Sequence, residues 1–66
     1  MKLKVNSKNV ELDGEMSILS FLKCKEINPN MVVVEHNYEV PCKEEWGKIM
    51  LQDGDNIEIV KFIGGG

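Results

Sequence analysis

The sequence contains no arginine: its eight basic residues are all lysine, set against eleven carboxylates, for a formal net charge of −3. Arginine is the preferred bidentate reader of phosphate and guanine, and nucleic-acid binders gather positive charge on one face. This balance counts against a nucleic-acid partner and suits docking to a basic protein surface. Cysteine and histidine are nearly as scarce, with only Cys24, Cys42 and His36. A structural zinc site takes four ligands, and these three are dispersed, so no metal site is expected. An iron–sulfur cluster, which takes four cysteines, is excluded by the same count. No apolar run approaches the roughly 18 residues of a membrane span. Met1-Lys2-Leu3-Lys4 leads straight into an alternating pattern, unlike a secretory leader. The expected setting is the cytoplasm, with reduced thiols and no membrane association.

The chain has 66 residues, 42% of them apolar and 29% charged, the composition of a small globule. A domain of this size buries only about 60% of the surface its unfolded chain exposes. One thin layer of core leaves little room for an enclosed active site. That points to a carrier, adaptor or binding module and away from a self-contained enzyme.

Residues 2–6, KLKVN, alternate so that Leu3 and Val5 share a face. After a turn-like cluster at Ser7-Lys8-Asn9, Val10 and Leu12 repeat the alternation, so a β-hairpin is expected, ended by Asp13-Gly14. Ser17 is a favoured helix N-cap. In the ILSFLKCK that follows, Ile18, Leu19, Phe21 and Leu22 fall in one broad stripe, with Cys24 at its edge beside Phe21. Lys23 and Lys25 suit the last turn, and Asn28-Pro29-Asn30 is expected to stop the helix. The valine run in MVVVEH, residues 31–36, suits a strand covered on both faces or a central one. YEV, residues 38–40, reads as a short strand closed by Pro41. Residues 43–46 read as one or two helical turns before Gly47, with Trp46 capping the core. QDGD, residues 52–55, is a turn, and Ile57 and Ile59 mark a last buried strand. Beyond them the alternation slips: Val60, Phe62 and Ile63 stay apolar while Lys61 takes the inward position. The order strand, strand, helix, strand, short strand, turn-helix, strand is that of an α+β β-grasp, or ubiquitin-like, roll with a mixed sheet and one main helix.

Few residues offer chemistry. A catalytic His36 would need an orienting carboxylate, and Glu35 alternates to the other side of the strand. Asp53 and Asp55 flank a glycine, but a calcium loop needs more oxygen ligands than this, so they read as a turn. Cys24 reads as core-edge packing, Cys42 as an exposed free thiol, and Glu44-Glu45 as a solvated turn. No catalytic residues are assigned. What remains is the closing FIGGG. Glycines thread where side chains cannot pass, so Gly64 and Gly65 suit a threading arm and Gly66 a carboxylate offered to another enzyme. Attack of that carboxylate on the α-phosphate of ATP would give an acyl-adenylate that sulfide displaces. Phe62 and Ile63, apolar residues leading into the glycines, suit a docking contact. The division is a domain over residues 1–63 and a tail over residues 64–66.

The KVN opening, the capped SILSFL helix, VVVEHNYEVP, EEW and LQDGDNIEIVKFIGGG together resemble the ThiS family, the sulfur carriers of thiazole formation in thiamine biosynthesis. The resemblance spans essentially the whole chain. It implies that a ThiF-like enzyme, using ATP, adenylates Gly66, and that a cysteine-derived sulfur donor converts it to a thiocarboxylate. A ThiG-like thiazole synthase then takes the sulfur. The chain itself would bind no cofactor, would be a monomer when free, and would be a cosubstrate, not an enzyme. Family members end in two glycines; here Gly64 is a third. Two other readings stand beside this one: a MoaD-type carrier for molybdopterin synthesis, whose proline-containing tail KFIGGG lacks, and a ubiquitin-like binding module with an inert tail.

Overall fold

Alternation of Leu3 and Val5 with lysines builds strand β1, Lys2–Val5, and Val10 anchors its antiparallel partner β2, Lys8–Glu11. The computed structural model, which describes residues 1–62, places the turn between them at Asn6 and Ser7, with φ of 50° and 69°. Two consecutive residues at positive φ make the two-residue loop whose twist matches paired strands. The turn therefore falls one residue ahead of the expected Ser7-Lys8-Asn9 cluster. Asn6 also ties this turn to the last strand of the sheet: its amide donates to Ile57 O at 2.8 Å and its Oδ1 accepts from the Ile59 amide at 2.7 Å.

Helix α1, Ile18–Cys24, begins where the Ser17 hydroxyl accepts from the Ser20 amide at 3.1 Å. Ile18, Phe21 and Leu22 are its buried stripe. The helix stops earlier than Asn28-Pro29. Glu26, at φ 59°, turns the chain, the Ile27 amide donates to Leu22 O at 2.8 Å, and the Glu26 amide donates to Lys23 O at 3.0 Å. These are the two reverse bonds of a Schellman cap, which satisfies carbonyls the helix would otherwise leave open. Cys24 is exposed, not packed at the core edge. At about 100° per residue it lies roughly 110° from the centre of the buried stripe, too far round to reach the sheet.

Strand β3, Val32–His36, pairs antiparallel with β4, Asn56–Lys61, and β4 pairs parallel with β1. The sheet order is β2-β1-β4-β3, one mixed four-stranded sheet with α1 against one face: a β-grasp roll. The valine run is thus an edge strand and not a central one. Val32 and Val34 are buried while Val33 lies on the open face. YEV forms no strand either. His36 and Glu39 exchange two backbone bonds, of 2.7 and 3.0 Å, around Asn37 and Tyr38, both at positive φ. The next paired position outward is Pro41, which has no N–H to continue the ladder, so the hairpin ends after one rung. Tyr38 is left 80% exposed at its tip.

A single 3₁₀ turn, Lys43–Glu45, delivers Trp46 to the core, where it is 3% exposed and its Nε1 donates to Pro41 O at 3.3 Å. Leu3, Phe21, Leu22, Val34, Leu51 and Ile57 fill the space between helix and sheet. No helix among the described residues is long and apolar enough to cross a membrane.

Candidate functional site

Strand β4 carries the chain from the centre of the sheet to its last described residue. Along it Ile57 and Ile59 face the helix, while Glu58, Val60 and Phe62 face the open side. The ladder outlasts the strand, because the Phe62 amide donates to Met31 O at 3.1 Å. Phe62 therefore leaves the sheet at a fixed place and direction. Phe62 is 42% exposed, and Val60, two residues before it on the same face, is 60% exposed. Lys61 keeps the inward parity, yet it lies past the end of the core and is exposed. The slip in the apolar pattern thus marks where the sheet outruns the helix. Round the edge of β3, Phe62 also borders an open cavity of about 300 Å³ with Val40, Pro41 and Trp46. Lys43 Nζ, at its rim, donates to Asn30 Oδ1. Ile63, Gly64, Gly65 and Gly66, and with them the expected boundary after residue 63, lie outside the described residues.

The open face carries a second feature that the strand alternation alone did not show. The register sets Glu35 directly opposite Glu58, and Val33 opposite Val60. The Phe62–Met31 bond places these as the mutually hydrogen-bonded pairs of the ladder, so Val32 and Val34 point their backbone groups outward at the edge.

His36 does have an orienting carboxylate, though not from its own strand. Its Nε2–H donates to Asp55 Oδ2 at 2.8 Å. Asn37 Nδ2 donates to Asp55 Oδ1 at 3.1 Å, and the Gln52 amide donates to Oδ2 at 2.9 Å. The pair is separated by 19 residues in sequence, so no local spacing announces it. It stands at the opposite end of β4 from Phe62, about 20 Å along the strand by strand rise. The chemistry of this cluster is that of a clamp between the β3 hairpin and the turn at residues 52–55. Burial alone would raise the Asp55 pKa, but the bonds from His36, Gln52 and Asn37 outweigh it and hold the carboxyl below its ordinary value.

A depressed carboxylate stabilises the fold above its unfolded pKa of about 3.9, and that contribution is lost as pH falls through the lower folded value. The urea midpoint of the parent is therefore expected to drop below about pH 4. Asp55→Asn is expected to cost about 1–3 kcal/mol at neutral pH and to flatten this acid limb. An unchanged acid limb in the variant would show that Asp55 is not its source.

Residues 3–66 match the family model described as the ThiS family. The chain belongs to the ThiS family. It is 37% identical over 65 residues to the sulfur carrier protein ThiS of Bacillus subtilis (strain 168), covering 97% of this chain and 98% of that one. The crystal structure of a thiamine biosynthesis protein (ThiS) from Geobacter metallireducens superposes with a TM-score of 0.87 at 33% identity, each chain covered in full at 100%. A thiazole synthase of Paramagnetospirillum magneticum is 35% identical over 66 residues, all of this chain and 20% of that protein. This ThiS family chain thus spans a fifth of the length of that relative and nearly the whole of the Bacillus one.

Proposed function

We propose that this ThiS family chain is the sulfur carrier of thiamine biosynthesis and that Gly66 is the residue that carries the sulfur. The observation that bears most weight is the family match over residues 3–66, which takes in the glycines along with the fold. In this reading β4 anchors the backbone as far as Phe62, and the residues beyond it reach into partner enzymes. A ThiF-like enzyme binds ATP and uses it for adenylation. The Gly66 carboxylate attacks the α-phosphate, pyrophosphate leaves, and sulfide-level sulfur derived from cysteine displaces AMP to give the thiocarboxylate. A thiazole synthase then consumes that sulfur. Two relatives bearing the name thiazole synthase contain a stretch similar to this chain, which supports that pairing. Gly64 and Gly65 serve as the threading arm, and Phe62 and Ile63 as the contact that seats it. No bound cofactor enters the scheme, and the chain acts as a cosubstrate.

Mass spectrometry after incubation with ATP, an adenylating enzyme and a sulfur source is expected to show one oxygen exchanged for sulfur, localised to Gly66 by fragmentation. An unchanged mass with a competent enzyme present would overturn the proposal.

A further inference from the structure

Two carboxylates directly opposite each other across neighbouring strands repel, and folding alone gives no reason to place them there. Glu35 and Glu58 occupy that arrangement, both half-buried, on the open face of the sheet. The one ion pair among the described residues is His36–Asp55, so neither glutamate is neutralised by a lysine. Lys4, the nearest cation on the neighbouring strand, pairs in register with Asn56, two positions short of Glu58. Along the same strands the surface becomes apolar, through Val33 and Val60 to Phe62. A repelling acidic pair beside an exposed apolar strip is complementary to a protein surface that offers a cation among apolar side chains. An arginine fits best, since its planar fork can bond two carboxylates at once.

Resting on the sulfur-carrier reading, we propose that this face is where the thiazole synthase docks, with Glu35 and Glu58 receiving an arginine or lysine of that enzyme. The synthase is the occupant for two reasons. In two relatives a stretch similar to this chain and the name thiazole synthase belong to one protein, so the two functions are held together. The face also lies on β4 itself, so a partner seated there stands where the chain leaves the sheet at Phe62. The apolar strip supplies contact area, while the carboxylate pair sets register and rejects surfaces that bring no positive charge.

The test is calorimetric titration of the full chain with the purified thiazole synthase of the same organism at low and high salt. Glu35→Gln/Glu58→Gln is expected to bind at least about tenfold more weakly at low salt, the equivalent of one close charge pair, and to lose most of the salt dependence. Its thermal midpoint is expected to equal or exceed that of the parent, because a repulsion is removed. Asp13→Asn/Glu15→Gln, an equal charge change in the exposed loop before α1, is expected to bind as the parent does. Undiminished binding by the Glu35/Glu58 variant would overturn the proposal, as would equal weakening by the control pair. A parent chain that fails to bind any thiazole synthase would instead overturn the functional reading beneath it.

Discussion

A chain lacking Gly65 and Gly66 is expected to fold as the parent does and to deliver no sulfur. The core closes with Ile57 and Ile59, and the last backbone bond described is that of Phe62. Gly65 and Gly66 carry no side chains to pack, so the thermal midpoint should stay within about 3 °C of the parent. On the proposed reading, thiazole formation in a reconstituted reaction is expected to fall to background, because the shortened chain would present its carboxylate on Gly64, two residues short of the proposed Gly66. Reaching a catalytic centre is a matter of geometry, and a shortfall of about 7 Å, two extended residues, is far outside what positioning tolerates. Sulfur delivery that survives the deletion would restore the reading of an inert tail on a binding module.

Trp46→Ala is expected to leave the chain largely unfolded at 37 °C. Truncating a fully buried tryptophan costs about 3–5 kcal/mol. A domain of this length has a total stability of roughly 3–10 kcal/mol, at 0.05–0.15 kcal/mol per residue. Trp46 has no redundant neighbour to take its place: it closes the core beside Leu19, whose amide donates to the Trp46 carbonyl at 3.1 Å. Trp46→Phe, which keeps most of the ring and loses only the bond from Nε1 to Pro41, should remain folded with a lowered midpoint. Circular dichroism melts distinguish the three chains. A Trp46→Ala chain that melts with the parent would remove Trp46 from the core.

The local elements were legible because each has a local cause. The hairpin follows from alternation at Leu3, Val5 and Val10, the start of α1 from the Ser17 hydroxyl, and the placement of Trp46 against the core from the short turn before Gly47. What escaped was decided between distant segments. A run of valines signals a strand but carries no information on sheet order, so β3 was expected to be covered and proves to be an edge. Pro41 was seen to close YEV, yet its missing N–H prevents that strand from forming at all. Helix periodicity placed Cys24 near the stripe, but it lies about 110° round from the centre of Ile18, Phe21 and Leu22 and stays exposed. The site shows the same division. The exposure of Phe62 follows from its place in the apolar run that outlasts the core. The pairing of Glu35 with Glu58, and of His36 with Asp55, depends on strand register and on turns meeting in space.

The sheet order has a further consequence for how the protein is made. The strand synthesised first, β1, lies next to the strand synthesised last, β4, and β3 touches the rest of the sheet only through β4. While the ribosome is still adding residue 56, the early hairpin, the helix and the valine strand have no shared sheet to join. Leu3 and Val34 meet across Ile57 or not at all. Closure over this span carries the largest loop-entropy cost in the molecule, and until it happens the Val32–Val34 edge is bare on both sides. Folding therefore waits on the synthesis of β4. Nascent chains stalled before β4 should be the forms that chaperones and proteases hold.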